Sequence, residues 1–357
     1  MSKRPPSAPH GRGARSNPDN RYMAHGHELL DDGWGSLEQA PPPLRTTLTR
    51  DTSRTVITYN KSPDVGFDRS INPYRGCEHG CVYCFARPTH AYLGLSPGLD
   101  FESRLFYKPD AAELLRRELA KPAYRCAPVA VGINTDAYQP VERRLGITRA
   151  VLEVLHECRH PFTLVTKSCL VERDMDILAA MARERLAQVM VSVTTLRHDL
   201  ARAMEPRATA PLRRLQTIQR LHEAGIPVGV LVAPLIPVLT DSELETLLAR
   251  AREAGADSAG YVLLRLPHEV KDLFREWLEE HAPTQAAHVM GRIRDSRGGK
   301  DYDAEFGSRM RGKGIYADLL AQRFHLAHQR LGFRTPLPLA VDRFQVPRLA
   351  TAQLDLF

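Results

Sequence analysis

The 357 residues suffice for one large domain or two ordinary ones, and 43% hydrophobic with 25% charged residues is the composition of a globular chain. Residues 1–20 hold no apolar stretch of the secretory kind, and the most apolar run, 228–239, is too short for a bilayer span and is broken by Gly229, Pro234 and Pro237. A cytoplasmic protein is expected in place of a secreted or membrane-spanning one, and in that setting six cysteines point to metal or catalysis before disulfides.

The net charge of +7 favours anionic partners without naming one. Part of it is local, with Lys3, Arg4, Arg12, Arg15 and Arg21 set against Asp19. Residues 1–50 read as a basic, disordered leader ending in Pro41-Pro42-Pro43, a tract that favours extended chain. From about Arg54 short runs rich in Val and Ile alternate with amphipathic segments. The spacing predicts strands at 129–133, 162–166, 189–194, 228–232 and 261–264, and helices at 111–119, 149–158, 174–186, 212–224 and 241–254. Asp241 is a candidate N-cap with Leu244, Leu247 and Leu248 on one face, while Gly225 and Gly255 supply left-handed stops. Strand–helix repetition with nearly continuous apolar strands means a parallel sheet covered by helices, and a partial (β/α) barrel over 51–285 is expected. A helical extension follows over 286–345, carrying two basic loops, Arg297-Gly298-Gly299-Lys300 and 309–314, and the tail 346–357 is extended.

The most specific feature is Arg75-Gly76-Cys77-Glu78-His79-Gly80-Cys81-Val82-Tyr83-Cys84. Three thiolates at this uneven spacing do not share a helix face; with Gly76 and Gly80 allowing tight turns they can wrap a loop around a compact object. Four clustered cysteines saturate a cubane iron–sulfur cluster, whereas three leave one iron open for another ligand. The alternative is zinc, with His79, His90 or a distant cysteine as fourth ligand. Cys126 and Cys158 read as inert thiols. Cys169, just past a strand end, is a weak catalytic candidate.

The pattern C-x-x-x-C-x-x-C with an aromatic before the last cysteine resembles the radical S-adenosylmethionine (SAM) superfamily. The resemblance implies a 4Fe-4S cluster on Cys77, Cys81 and Cys84, SAM chelated to the open iron, a 5'-deoxyadenosyl radical, and a low-potential electron donor such as flavodoxin or ferredoxin. The polar strand ends that follow, Asn134-Thr135-Asp136, Lys167-Ser168, Ser192, Ala233-Pro234 and Arg265, resemble the spore-photoproduct-lyase-related (DNA repair photolyase-like) branch over about residues 72–278. Carried over, Lys167 pairs with the SAM carboxylate, Ser192 bonds the ribose or methionine part, Asn134, Thr135 and Asp136 lie by the methionine amino group, and Ala233 offers its main chain to the adenine. Arg207 and Arg265 are either barrel salt-bridge partners or substrate contacts. One departure is plain. Spore photoproduct lyases carry a cysteine hydrogen donor just before their Thr-Ser-Asp stretch, and Ile133 and Asn134 stand there in this chain.

The chain ends Gln353-Leu354-Asp355-Leu356-Phe357, which resembles the bacterial sliding-clamp-binding peptide. Leu356 and Phe357 suit a hydrophobic pocket and Gln353 its polar edge. The expectation is a radical SAM enzyme acting on nucleic acid, in DNA repair or base modification. The alternatives are a radical SAM enzyme of a protein or small molecule, and a metal-stabilised module recruited to the clamp without catalysis.

Overall fold

The computed structural model describes residues 11–23 and 44–349. Its centre is a sheet of seven strands in the order β10-β9-β8-β7-β6-β3-β2, alongside a small sheet β1-β5-β4. The strands are β1 (Thr47–Arg50), β2 (Ile57–Tyr59), β3 (Arg69–Ile71), β4 (Tyr74–Arg75), β5 (Arg104–Tyr107), β6 (Val129–Val131), β7 (Phe162–Thr166), β8 (Ala187–Ser192), β9 (Val228–Leu235) and β10 (Ser258–Leu263). Strands β3, β6, β7, β8, β9 and β10 run parallel, each to its neighbour, and β2 returns antiparallel to β3. Crossing between parallel neighbours requires a long connection, and helices such as Ile147–Glu157, Met175–Ala182, Pro211–Glu223 and Leu244–Glu253 supply it. Their apolar faces and the strands share one core, to which Leu244, Leu247 and Leu248 contribute as the periodicity predicts. Asp241 does not cap its helix through a side-chain bond. It lies in a short 3-10 turn, and its carboxylate accepts from the Tyr316 hydroxyl.

The sheet is an open partial barrel. Its end strands β2 and β10 do not pair, and residues 307–312 span the gap. Leu263 N donates to Met310 O at 2.9 Å along the free edge of β10, while Arg309 reaches Asp64 and Ser62 in the β2–β3 hairpin. Arg297 is buried, and its guanidinium donates to the carbonyls of Leu263, Leu264, Ser308 and Arg309. The arginines of the two basic loops thus include two that staple the barrel edge. Both are engaged inside the protein.

A second core lies at the C-terminal ends of the strands. Cys81, Val82 and Tyr83 pack there against Phe274, Trp277 and Leu278 of the helix Val270–His281 and Val289, Met290 and Ile293 of the helix Ala286–Asp295. Residues on both sides of position 285 therefore share one apolar cluster. Part of the stretch expected as a leader is also built into the fold. Arg12 donates to the carbonyls of Glu102 at 2.7 Å and Leu44 at 2.9 Å, and Gly13 and Ala14 are buried. Disorder does not hold for residues 11–23 and 44–50. Among the described residues no helix is long and apolar enough to cross a membrane.

Candidate functional site

The cysteine loop leaves β4 and makes two successive tight turns. Gly80 N donates to Cys77 O at 3.3 Å, and Cys84 N to Cys81 O at 3.2 Å. Gly76 enters the loop at φ +79°, where a side chain is strained and a Cβ would press on Phe101 O and the His90 ring at under 3 Å. Buried charges hold the loop from below. Arg87 donates to Cys81 O at 2.9 Å, Gly80 O at 3.1 Å and Gly98 O at 2.8 Å, and ion-pairs with Glu102. Glu102 in turn accepts from the backbone of Gly13 at 2.9 Å and Ala14 at 2.8 Å. Gly13 passes so close that a Cβ would collide with the Gly80 carbonyl. Gln139 clamps the other side, accepting from Glu78 N at 2.8 Å and donating to Gly76 O at 3.1 Å.

Above the loop lies a cleft of about 760 Å³, lined by Cys77, Cys81, Tyr83, Cys84 and Phe85, by Asn134 and Asp136 after β6, and by Lys167, Ser192 and Ala233 at the ends of β7, β8 and β9. The strand-end residues singled out in the sequence meet here, with exceptions. Thr135 is buried and donates to Tyr74 O at 2.9 Å, so it faces the loop's backbone instead of the cleft. Cys169 lies off the cleft lining, its N–H donating to Thr209 Oγ1 at 2.9 Å. Gln353, Leu354, Asp355, Leu356 and Phe357 lie outside the described residues.

Lys167 Nζ donates to Ser192 Oγ at 2.6 Å and Ala233 O at 3.0 Å, with Glu205 at 4.0 Å. Asp136 ties this corner to the cysteine loop by accepting from Lys167 N at 2.7 Å, Thr166 Oγ1 at 2.7 Å and His79 Nδ1 at 3.3 Å. Burial pushes its carboxyl up, but the neighbouring His79 imidazole and these bonds outweigh burial and hold it below the usual range. Beneath Lys167, Glu205 takes hydrogen bonds from Tyr83, Thr194 and Arg214. Burial again opposes ionisation there; Arg214, then Lys167 and Tyr83, reverse it and bring the carboxyl down to about 2. Sequence reading assigned no role to Arg87, Glu102, Gln139, Glu205 or Arg214. None carries a local motif, since each partner is separated along the chain and met only through the fold.

The donor set suits a cubane with one open iron. Burial raises all three thiols above their ordinary pKa, with Asp136 adding to the rise at Cys77 and Glu205 at Cys81. Such thiols ionise readily only against a strong positive centre. The histidines weighed as zinc ligands have other partners: His79 binds Asp136, and His90 Nε2 sits 3.0 Å from Arg104 O. Cys126 and Cys158 do not line the cleft.

The radical SAM superfamily model matches residues 71–251, about half of the chain. The chain belongs to this superfamily of enzymes and takes its two defining cofactors, a 4Fe-4S cluster and SAM. It is 37% identical over 229 residues to an uncharacterized protein of Mycobacterium tuberculosis, spanning 63% of this chain and 67% of the relative. An uncharacterized protein of Methanocaldococcus jannaschii is 28% identical over 173 residues, 48% of this chain and 62% of the relative. Among solved structures, spore photoproduct lyase complexed with dinucleoside spore photoproduct superposes with a TM-score of 0.57 at 15% identity, covering 80% of both chains. That likeness is one of fold. Like this chain, it has a mixed α/β body around a parallel sheet.

Proposed function

We infer that Cys77, Cys81 and Cys84 hold the cluster and that Lys167, Ser192, Asn134, Asp136 and the main chain at Ala233 receive SAM, in an enzyme that acts on a nucleic-acid base. One observation carries this: the three cysteines, Cys77 and Cys81 buried and Cys84 half-buried, share with the Lys167–Ser192–Ala233 corner a single cleft that continues past them toward β10. When bound, the cofactors supply one-electron cleavage of a sulfonium and so a carbon-centred radical. The chain's own residues bind and orient. Lys167 offers a fixed cation to a carboxylate, Asp136 and Glu205 set its height, and Tyr83 walls the cleft with its hydroxyl tied down by Glu205. The helix Val270–His281 closes the rear of the loop with Phe274 and Trp277, which excludes water.

The nucleic-acid substrate draws support from the fold shared with a lyase that was solved with a dinucleoside lesion. Ile133 and Asn134 line the cleft where the resemblance puts the cysteine hydrogen donor of spore photoproduct lyases, so either another residue supplies the hydrogen or the substrate differs. The terminal peptide Gln353–Phe357 is proposed as the sliding-clamp contact on its five residues alone; removing it should abolish clamp binding in a pull-down, and undiminished binding removes the clamp from the picture. The central test is anaerobic reconstitution with iron and sulfide, then reductant, SAM and lesion-bearing oligonucleotides. 5'-Deoxyadenosine together with an altered base is expected. No 5'-deoxyadenosine ends the assignment of the cofactor site, whereas 5'-deoxyadenosine without any altered oligonucleotide, and with turnover of a peptide or metabolite, ends the nucleic-acid assignment alone.

A further inference from the structure

The end of the cleft away from the cysteines holds a cation without an acid. Arg265 follows β10 and lines the cleft with Phe85, Val262, Leu264 and Met310. Its guanidinium lies 5.3 Å over the Phe85 ring, Nη1 is 3.2 Å from the Met310 sulfur, and its buried Nε has no partner. A thioether is a weak acceptor, and no carboxylate pairs with Arg265 among the described residues. A second positive charge acts on this end of the cleft. Arg297 lies behind it, and burial together with the Arg265 charge lowers the Arg297 pKa to about 10. Arg309 shares the cleft but is engaged by Asp64 and Ser62. Elsewhere in this protein the buried Arg87 and Arg214 have carboxylate partners, and the buried Arg297 has its guanidinium satisfied by four carbonyls, whereas Arg265 has neither. A half-buried guanidinium that lies over an aromatic ring, repels a second arginine and has no acid lacks the anion that such a group ordinarily requires.

We propose that Arg265 is the phosphodiester-binding residue of the substrate end of the cleft, held in place by Phe85, so that it docks the backbone of the nucleic acid whose base faces the cysteine loop. The phosphodiester identity rests on the nucleic-acid reading above; the anion site does not. A planar guanidinium presents parallel N–H donors to two phosphate oxygens, a geometry that a lysine does not reproduce.

The test uses the reconstituted, SAM-bound full-length protein and two probes, the dinucleotide d(TpT) and its neutral methylphosphonate analogue, with affinity read by NMR line broadening. Wild type should bind the phosphodiester more tightly than the neutral analogue. Arg265→Gln should lose about tenfold for d(TpT) and nothing for the analogue, with Arg265→Lys between the two. SAM affinity, measured separately by equilibrium binding, should stay within about twofold and report an intact fold. Equal loss for both probes, no loss for either, or a parallel fall in SAM affinity overturns the proposal. A wild type that binds both probes alike overturns it too. Formation of 5'-deoxyadenosine by the wild-type protein without substrate checks the cofactor site independently, so the two ideas can fail apart.

Discussion

The two ends of one cleft are built on opposite electrostatic rules. At the cysteine end two enclosed arginines are matched by acids inside the protein, Arg87 by Glu102 and Arg214 by Glu205. At the β10 end Arg265 rests on Phe85 with a thioether for a neighbour and no acid. A matched charge is scaffolding, because removing one partner strands the other in a low-dielectric interior. An unmatched one is free to meet a ligand. The first end therefore reads as assembled before any substrate arrives, the second as completed by it.

The largest effect should come from the loop itself. Replacing any one of Cys77, Cys81 or Cys84 by Ala is expected to lower reconstituted iron and sulfide per chain and to cut 5'-deoxyadenosine formation by at least about a thousandfold, since even outer partners of metal ligands are worth about 10–100-fold. Full iron loading in Cys81→Ala would remove the loop from the chemistry. Next comes the brace. Arg87→Met leaves Glu102 buried with only the N–H groups of Gly13 and Ala14, and should cost about 3–5 kcal/mol in urea unfolding. Adding Glu102→Gln should restore part of that loss; a double variant no more stable than the single one contradicts the pairing.

Acid should weaken the fold in a defined window. Burial pushes the imidazoles of His90 and His160 down to about 4, from an ordinary value of 6.5. The unfolded chain therefore binds protons between those limits that the native chain refuses. Stability is complete above about pH 6.5 and falls as the pH drops toward 4, by up to about 3 kcal/mol for each histidine. His160, bonded to Tyr124 and packed on Phe344, precedes β7 at its N-terminal end and does not line the cleft, so His160→Gln isolates its share. Urea midpoints measured across that range should fall less steeply with pH in the variant, and an unchanged slope contradicts the assignment.

The sequence carried the fold better than the brace. Helix 111–119 and strand 162–166 appear where the periodicity puts them, because a helix face or a buried strand is written in consecutive residues. The strand predicted at 129–133 stops at Val131, where Gly132 takes φ +79° and turns the polar stretch into the cleft. The cysteines and Lys167 were legible for the same local reason: a motif, and a strand end. The matched charges were not. Arg87 and Glu102 are 15 residues apart and Tyr83 and Glu205 are 122 apart, and nothing in either neighbourhood names the other. The burial of Gly13 and Ala14 was hidden by composition, since a basic, Pro- and Gly-rich segment looks the same whether it is solvated or docked.

The smallest predicted effect is the most discriminating. Arg265→Gln orphans no carboxylate, breaks only a weak contact to sulfur and a cation–π contact, and relieves the repulsion on Arg297. Its cost in unfolding free energy should stay within about 1 kcal/mol, against about 3–5 for Arg87→Met, although both remove an arginine from the surroundings of the same cleft. The two urea curves, run side by side, compare the ends directly. If Arg265→Gln destabilises as much as Arg87→Met, then Arg265 is scaffolding like the rest, and the contrast between a braced end and an open one does not exist.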